Sequence, residues 1–448
     1  MQIVNKKEAI ILFFGDVIIF FFSLWLALLI RYQGLDTETY FSHLQPFSYI
    51  FLVWVIVFFI AGLYDIHTTI LKGKLPSIVF NAQLANSVIA VLFFYFIPYF
   101  GITPKTNLFI TLSVSFVLVL FWRRYGYKLA SYRKKQNAIL LASGDESVQL
   151  EKEINSNPRY GINIVSRIDL DQVKNTTFEE DFLGKISSHN VSFIIIDFRD
   201  DRLTPLFKSL YSLLFLRMQF IDMHDLYENI FNRIPLSLVR EDWILENITN
   251  CPKPIYDFFK RAIDIISALI LAGASTALYP FVFLAIWWDD HFPIFIRQYR
   301  VGKFNHEIKL TKFRTMAKSE QGQWGGNNDN RVTRIGKYLR TSRIDELPQL
   351  WNVLRGDISL IGPRPEFSEP VKCYSRDIPY YNIRHIIKPG LSGWAQINHE
   401  KHPHHVLDKE ETRNKLSYDL YYIKNRSLML DVKIALRTIK ILLSFAGK

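Results

Sequence analysis

Cysteine is scarce in this chain: Cys251 and Cys373 are the only two among 448 residues, and they stand far apart. Two distant cysteines exclude a disulfide framework and a cysteine-rich metal centre of the usual spacing. We therefore expect both to be ordinary core or surface thiols, and the chemistry of the protein must rest on other residue types.

Glycine is missing where a dinucleotide-binding turn would need it. The run Ala138 to Leu141 predicts a buried strand, and Ala142, Ser143 and Gly144 follow it with one glycine in place of the GxGxxG turn. This absence argues against nucleotide binding by that part of the chain, for which a structural or regulatory role fits better.

Acidic residues are too few to balance the basic ones. The 54 lysines and arginines exceed the 42 acidic residues and give a formal net charge of +12, while 49% of all residues are hydrophobic. A basic chain suits either nucleic acid or an anionic membrane surface. Long apolar runs decide between the two, so we expect a membrane partner and no nucleic acid.

Four apolar runs occupy the N-terminal part, each close to the length that crosses the hydrocarbon core. Basic residues flank the start of the first run, the loop after the second and the end of the fourth, which predicts a four-helix transmembrane bundle over 1–135 with both ends in the cytoplasm. Polar residues within the runs predict interhelical hydrogen bonds, with a substrate path as the alternative. The runs are Ala9 to Ile30, Phe47 to Leu63, Ile78 to Phe100 and Leu108 to Trp122, and the polar residues are Asp16, Asn81, Gln83 and Asn86.

Short apolar strands alternate with amphipathic helices from 136 to 250. This alternation predicts a soluble, Rossmann-like α/β domain with a mainly parallel sheet. The predicted strands are Ala138 to Leu141, Ile162 to Val165, Phe193 to Ile196 and Phe220 to Ile221, and helices are predicted over Val148 to Ile154 and Leu203 to Leu216.

A fifth apolar run, Ala262 to Trp288, differs from the first four because basic residues lie on both sides of it. Lys260 and Arg261 precede the run and a dense basic stretch follows it, so a helix that crossed the bilayer would place one flank on the wrong side. Pro280 interrupts helical hydrogen bonding within the run. We predict a re-entrant helix over 262–288 that dips into one leaflet and returns; the alternative is a fifth span with an external C-terminal domain.

The stretch Leu339 to Pro365 joins an acidic pair, Asp345 and Glu346, to arginine-bearing turns. Apolar residues at helical spacing predict a helix that begins near Asp345 and ends at Gly356. Near the N-cap, the helix dipole favours an ionised carboxylate and attracts anions such as phosphate. A charged Asp345 is a candidate nucleophile or metal ligand, although acidic residues also occur at helix starts for dipole reasons alone.

Arginines surround this acidic pair in the sequence. Arg340 and Arg343 precede it, and Arg364 lies between Pro363 and Pro365, which limit its backbone freedom. Guanidinium groups bind phosphate oxygens through paired donors. The combination indicates a negatively charged phosphoryl substrate.

Three further segments allow more than one interpretation. The glycines and asparagines from Gly322 to Asn330 predict a mobile loop ahead of the catalytic helix. The run Leu428 to Phe445 predicts a helix that lies in the membrane interface or packs on its own domain. The histidines from His399 to His405 lack the spacing of a zinc site, so we expect a solvated loop there.

Four motifs follow one another in the C-terminal part of the chain. They are RQYRVGKFNHEIKLTKFRTM (Arg297 to Met316), NDNRVTRIGKYLRTSRIDELPQLWNVLRGDISLIGPRP (Asn328 to Pro365), KPGLSGWAQIN (Lys388 to Asn398) and YDLYYIKNRS (Tyr418 to Ser427). Their order and length resemble the bacterial sugar transferases, the monotopic phosphoglycosyl transferases that load polyprenyl phosphate with a hexose 1-phosphate. The apolar runs and the α/β part resemble the large members of that family, of the galactose or glucose type.

The resemblance implies a covalent mechanism at Asp345. Its carboxylate would attack the sugar-bearing phosphorus of a nucleoside diphosphate sugar, of which a UDP-sugar is the expected one, release UMP and pass the phosphosugar to undecaprenyl phosphate. Glu346 would support the reaction or handle a proton, and Mg²⁺ at Asp345 would screen the diphosphate. Residues that match family positions for substrate binding are Lys312, Arg314, Arg340, Arg364 and, as an acid near the site, Asp419.

Two segments depart from the family pattern. Tyr279 stands before Pro280 where a serine is usual, and His399, Glu400 and Lys401 follow GWAQIN in place of Gly-Arg-Asn. These changes leave the shape of the helix break and the identity of the sugar open.

The predicted architecture is a membrane protein of the α plus α/β class. It comprises the bundle over 1–135, the α/β domain over 136–250 and a mainly helical monotopic catalytic domain over 251–448, which would lie on the cytoplasmic face of the bacterial inner membrane. We expect a phosphoglycosyl transferase that initiates a surface glycan or polysaccharide, with a homo-oligomer as an open alternative. A non-catalytic membrane scaffold or regulator is the rival function, and a nucleotide-sugar-modifying enzyme would need the missing glycine turn.

Overall fold

A computed structural model gives the architecture, and the chain divides into two compact units, Met1–Phe231 and Asn232–Lys448. The structure describes residues 6–34, 37–64, 75–97, 105–130, 135–157, 160–170, 182, 184–186, 188–212, 218–236, 239–248, 253–291, 293–317, 332–398 and 408–443. The predicted loop at Gly322 to Asn330 lies outside these residues. The predicted histidine loop does too, from His399 to His405.

Four N-terminal helices are long and apolar enough to cross a membrane, which confirms the predicted spans. Aromatic side chains fill the interior between them, with Phe20, Trp54 and Phe58 fully buried, while much of the outer surface is apolar and exposed, as a lipid-facing surface would be. The helices are α1 (Lys6–Tyr32), α2 (Thr37–Ile60), α3 (Leu75–Phe96) and α4 (Lys105–Ala130).

Two of the four polar side chains predicted to bond between helices do so, Asp16 and Gln83, whereas Asn86 bonds within α3 and Asn81 is exposed. Asp16 of α1 forms a buried ion pair with Arg123 of α4. Gln83 of α3 donates through Nε2 to Ser115 Oγ of α4 at 3.0 Å, and Asn86 donates in turn to Gln83. Pairing satisfies groups that would otherwise be costly in hydrocarbon.

The part of the first unit that follows α4 is built on a four-stranded parallel sheet in the order β2-β1-β3-β4. All four predicted strands are confirmed. Of the predicted helix Leu203 to Leu216, the structure has a 3₁₀ turn that contains Pro205, followed by one short α-helix. The elements are β1 (Gln136–Leu141), α5 (Asp145–Ser156), β2 (Ile162–Ile168), β3 (Val191–Ile196), a 3₁₀ helix (Asp201–Leu206), α6 (Phe207–Ser212), β4 (Gln219–Asp222) and α7 (Met223–Phe231).

The second unit begins earlier in the chain than the predicted boundary at 251. Helix α8 (Glu241–Ile248) packs in its core, where Trp243 is buried with Trp394 and Leu420. Residues 232–248 thus go with the C-terminal unit, because the apolar face of α8 is covered there.

A bent pair of helices follows, α9 (Pro254–Thr276) and α10 (Tyr279–Asp290), with an angle of 56° between them. Pro280 lies in the first turn of α10, where its missing N–H costs nothing. One face of α9 packs through Ala268 and Ala272 on the rest of the unit. The opposite face is apolar and exposed, and on α10 the side chain of Trp288 is 86% exposed.

The remaining elements surround a short parallel strand pair and an antiparallel hairpin. The hairpin joins β5 (Phe295–Val301) to β6 (Glu307–Phe313), and β7 (Ser359–Ile361) pairs with β8 (Gly390–Ser392). The helices are α11 (Arg334–Thr341), a 3₁₀ helix (Ile344–Gln349), α12 (Leu350–Arg355), α13 (Ser368–Asp377), a 3₁₀ helix (Tyr381–His385), α14 (Trp394–Asn398), α15 (Lys409–Asn425) and α16 (Leu428–Leu443).

Helix α16 packs on its own domain, which is one of the two alternatives for the C-terminal run, and its position in the membrane interface stays a prediction. Ile434 is fully buried in the core of the unit, whereas Met429 and Val432 are exposed on the other side. The helix therefore packs on its own domain and still presents an apolar face.

Candidate active site

The acidic pair lies in a 3₁₀ helix rather than at the start of the predicted α-helix. Arg343 has a positive φ of 59° and begins the 3₁₀ turn Ile344–Gln349, which contains Pro348 and continues directly into α12. Because Pro348 cannot donate a backbone hydrogen bond, it favours a 3₁₀ turn over the wider α-helical turn at this point. Gly356 ends α12 at φ 93°, as predicted, and donates to the carbonyls of Asn352 and Val353.

Glu346 is held by two cations from different parts of the chain. Lys312 Nζ of β6 lies 2.9 Å from Glu346 Oε1, and Arg364 Nη2 lies 2.7 Å from the same oxygen. Burial alone would raise the pKa of Glu346, but Arg364 and Lys312 hold it below its ordinary value. Glu346 is thus fixed as an ion.

Asp345 has the opposite environment although it is the next residue. Its side chain is buried, and Oδ1 has no hydrogen-bond partner among the described residues. Burial and the charge of Glu346 raise the pKa of Asp345 to about 6. We expected the helix start to lower the pKa of Asp345 and so favour its ionised form, and this expectation is wrong. Burial raises the pKa by more than the weak dipole of a short 3₁₀ turn could lower it.

Arg364 is positioned by close backbone packing. It follows Gly362, whose N–H donates to Ser392 of β8 at 2.8 Å, and a Cβ at Gly362 would lie 2.6 Å from the carbonyl oxygen of Lys388. Only glycine permits this approach. The two prolines beside Arg364 then direct its guanidinium to Glu346.

The structure brings three of the five predicted cations to the acidic pair and places the other two elsewhere. Arg343 Nη1 lies 3.8 Å from Glu346 Oε1. Lys312 and Arg364 contact Glu346. Arg314 is buried and donates to the carbonyl of His291 at 2.9 Å, and Arg340 donates to Thr315 Oγ1 at 2.9 Å. These contacts connect Arg314 and Arg340 to other parts of the chain and not to the acidic pair. A substrate role for Arg314 and Arg340 stays a prediction.

Asp419 lies behind the site in a buried ionic network that the sequence did not reveal. Its Oδ2 lies 2.8 Å from Arg384 Nη2, and Arg384 also pairs with Glu366 at 2.9 Å. The same Arg384 nitrogen donates to the carbonyl of Arg364 at 3.1 Å. Asp419 is thus connected to the site only through Arg384 and the backbone of Arg364, and a substrate role for it stays a prediction.

Replacing Asp419 with alanine is expected to destabilise the C-terminal unit by about 3 kcal/mol, the low end for loss of one partner of a buried ion pair, because Glu366 still pairs with Arg384. The free energy of unfolding in denaturant measures this effect. Arg376→Gln is a suitable control, since Arg376 is exposed and pairs only with the neighbouring Asp377. Equal stability of the Asp419 variant and the control would show that the network adds nothing.

Two openings are lined in part by the 3₁₀ helix that carries the acidic pair, the first through Gln349 and the second through Pro348. A small cavity of about 20 Å³ is lined by Arg300, Leu310, Lys312, Gln349, Arg364, Pro365, Gly390 and Leu391. A groove of about 610 Å³ is lined by Tyr279, Phe295, Arg297, Glu307, Ile308, Lys309, Thr311, Pro348, Trp351, Asn352, Arg355 and Asp357. The size of the groove is that of small-molecule sites in general.

Arg300 and Gln349 are residues of this region that sequence reasoning missed. The alternation of side chains along β5 and β6 could have indicated Arg300, because a two-residue period places it on the face of the hairpin that carries Lys312. Nothing in the sequence separates Gln349 from other polar helix residues.

The described residues contain no group of three or more His, Cys, Asp or Glu that could hold a metal ion. Mg²⁺ does not require such a cage, because it commonly binds one or two carboxylates together with substrate phosphates and water. The unpartnered Oδ1 of Asp345 is one such oxygen. The residues present therefore fit a Mg²⁺ ion that arrives with a diphosphate.

Comparison with known proteins identifies similarity in the C-terminal part of the chain. The family described as bacterial sugar transferase matches residues 255–445. UDP-N-acetylgalactosamine-undecaprenyl-phosphate N-acetylgalactosaminephosphotransferase of Aeromonas hydrophila is 46% identical over 199 residues, which is 44% of this chain and 46% of that protein.

Two proteins named UDP-glucose:undecaprenyl-phosphate glucose-1-phosphate transferase are also similar. The one from Caulobacter vibrioides is 39% identical over 196 residues, covering 43% of this chain and 73% of that protein. The one from Escherichia coli is 36% identical over 207 residues, covering 44% of each. The matched part of this chain thus spans about half the length of the Aeromonas and Escherichia relatives.

Proposed function

Since the chain belongs to the bacterial sugar transferase family, we propose that it transfers a hexose 1-phosphate from a UDP-sugar to undecaprenyl phosphate and so begins the synthesis of a surface glycan. The observation that carries the proposal is the asymmetry of the acidic pair. Glu346 is locked between Lys312 and Arg364, whereas Asp345 keeps an unpartnered oxygen beside the same two cations. This is the arrangement of a nucleophile next to a phosphate-binding group.

In the first step, a carboxylate oxygen of Asp345 attacks the sugar-bearing phosphorus of the UDP-sugar. A carboxylate–phosphorus bond forms, the bond from that phosphorus to the bridging oxygen breaks, and the electron pair leaves with UMP. In the second step, an oxygen of undecaprenyl phosphate attacks the same phosphorus and the Asp345 carboxylate leaves. The product is an undecaprenyl diphosphate sugar, and the enzyme returns to its starting form.

The two carboxylates take different roles because their charges are set differently. With a pKa of about 6, Asp345 is mostly ionised at neutral pH and still retains basicity as a nucleophile. Glu346, whose pKa is lowered, stays ionised and cannot donate a proton near pH 7. We assign Glu346 to holding Lys312 and Arg364 in place for the phosphoryl oxygens.

Mg²⁺ belongs to the same proposal. Asp345 would hold it together with oxygens of the diphosphate, and the ion would neutralise charge on the leaving UMP. Lys312 and Arg364 contribute positive charge from the protein on the same side. Their positions require no metal, since β6 and the turn at Arg364 fix them.

We also place the second unit on the cytoplasmic face of the bacterial inner membrane, with α9 and α10 dipping into one leaflet. Support comes from the 56° bend, the exposed apolar face of the pair and the basic residues on both flanks. The exposed apolar face of α16 fits the same interface. Such a placement gives Asp345 access to a lipid phosphate at the headgroup level.

A cysteine placed at His291, at the end of α10, is expected to react with a membrane-impermeant maleimide only from the cytoplasmic side. His291 is exposed, and a re-entrant pair returns it to the side on which α9 begins. The measurement uses a chain in which Cys251 and Cys373 are serine, in intact cells and in inverted vesicles. Labelling in intact cells would support a fifth membrane span and contradict the re-entrant helix pair.

The proposed reaction is tested by incubating the purified full-length protein with a panel of UDP-sugars, magnesium and undecaprenyl phosphate, and by measuring UMP. We expect UMP release with at least one sugar and its dependence on Mg²⁺. Turnover with none of them would favour the rival function, a membrane scaffold that retains the fold of the family.

A further inference from the structure

The small cavity beside Glu346 is lined by two polar residues of interest: among the described residues Arg300 has no anionic partner and Gln349 Nε2 has no acceptor. It lies between the β5–β6 hairpin, the 3₁₀ helix Ile344–Gln349 and the turn that carries Arg364. Lys312 and Arg364, which line it, are engaged by Glu346. Arg300 and Gln349 also line it, and neither has a role in the mechanism above.

Gln349 is the first of these groups. Only 3% of the residue is exposed, and its Nε2 has no hydrogen-bond partner among the described residues. Three residues after Glu346 in a 3₁₀ helix, it shares one side of that helix with Glu346. A buried amide donor without an acceptor is costly, so its retention indicates an acceptor that is present in the working complex.

Arg300 is the second group. Its guanidinium donates to Gln298 Oε1 at 3.0 Å and lies 3.3 Å from the ring centre of Phe367. No carboxylate lies within ion-pair distance of it in the part of the chain that the structure describes. Burial first, and then the nearby Arg364, lower the pKa of Arg300 to about 9.

The balance of charges around the acidic pair also indicates that an anion binds here. In the described part of the chain, the cations Arg300, Lys312, Arg343 and Arg364 face two carboxylates that are not paired elsewhere, Asp345 and Glu346. Glu366, the next acid, is already paired with Arg384 and Lys415. The site is therefore short of negative charge by about the amount that a diphosphate brings.

We propose that Arg300 and Gln349 form an oxygen subsite that binds one non-bridging oxygen of the substrate's diphosphate. The assignment rests on the proposed function for the identity of the anion. The cavity holds about one water-sized group, so it takes a single oxygen and not a sugar or a base. Gln349 Nε2 donates one hydrogen bond to that oxygen, and Arg300 supplies the charge that Glu346 does not neutralise.

The test compares four variants of the full-length protein in nanodiscs: Gln349→Met, Arg300→Gln, Arg300→Lys and, as the control, the exposed Arg376→Gln. Inorganic pyrophosphate and UDP serve as probes of binding, and UMP release gives kcat and KM. We expect Gln349→Met to weaken pyrophosphate binding about 10-fold and Arg300→Gln to lower kcat/KM about 100-fold, the size found for loss of one oxyanion donor. Arg300→Lys should recover part of the binding, and Arg376→Gln none of these losses.

Two results would overturn the subsite. One is pyrophosphate affinity and kcat/KM within twofold of the unsubstituted protein in folded Gln349→Met and Arg300→Gln, in which case the cavity holds only water. The other applies if Arg300→Gln does not fold: pyrophosphate affinity and kcat/KM within twofold of the unsubstituted protein in folded Gln349→Met alone, because Arg300→Lys keeps the charge that Arg300 supplies. Absence of turnover in every form, with weakened pyrophosphate binding in the variants, would refute the proposed reaction and leave the subsite standing.

Discussion

Replacing Asp345 with asparagine is expected to lower UMP release about 10⁴-fold or more, because the amide cannot form the bond to phosphorus that the carboxylate forms. No other described carboxylate is placed to substitute for it, since Glu346 is held by Lys312 and Arg364. Intact-protein mass spectrometry with UDP-sugar alone should show a phosphosugar adduct on the unsubstituted chain and none on Asp345→Asn.

The same substitution is expected to leave the protein as stable as before or more stable. The raised pKa of Asp345 means that its ionised form is disfavoured in the folded state relative to the unfolded chain. Removing the charge at neutral pH therefore removes a cost, and the unpartnered Oδ1 is not a bond that would be lost. Thermal unfolding of both forms measures the effect, with Asp377→Asn, on α13, as the control.

Substantial residual UMP release by Asp345→Asn would contradict the covalent mechanism. Loss of activity with a large fall in the unfolding temperature would contradict the environment described for Asp345. The two measurements therefore distinguish a catalytic role of Asp345 from a structural one. Replacing a residue that serves the structure would lower the stability together with the activity.

The sequence was informative where local rules decide the structure. Helical spans follow from apolar length, the strands of the parallel sheet follow from short apolar runs, and Gly356 follows from the left-handed conformation at a helix end. The break between α9 and α10 was predicted from Pro280 and the flanking charges. Each of these features depends on residues close together in the chain.

Features that depend on distant residues were beyond that reasoning. Lys312 and Arg364 meet at Glu346 only because β6 and the turn after β7 pack on the same 3₁₀ helix. Arg384 reaches Asp419 and the carbonyl of Arg364 from a separate segment. The reversal of charge preference within the acidic pair follows from these contacts, and spacing alone could not show it.

Replacing Glu346 with glutamine is expected to reduce both activity and stability, in contrast to the substitution at Asp345. Glu346 neutralises two partly buried cations, and losing its charge leaves Lys312 and Arg364 repelling each other across the cavity. We expect a cost of about 3 kcal/mol in the free energy of unfolding, the low end for breaking a buried ion pair, because the amide oxygen still accepts a hydrogen bond. Denaturant unfolding measures it, and UMP release should fall at least about 100-fold.

A double substitution distinguishes this electrostatic role from simple packing. In Glu346→Gln combined with Lys312→Met, one of the two unpaired cations is gone, so stability should recover by more than about 1 kcal/mol over Glu346→Gln alone while activity stays low. Additive losses of stability in the double variant would show that Glu346 and Lys312 contribute independently. We assign Glu346 a supporting role in phosphoryl transfer because its ion pair with Lys312 holds that cation near Asp345. A coupling free energy near zero between Glu346 and Lys312 would remove the reason for this assignment.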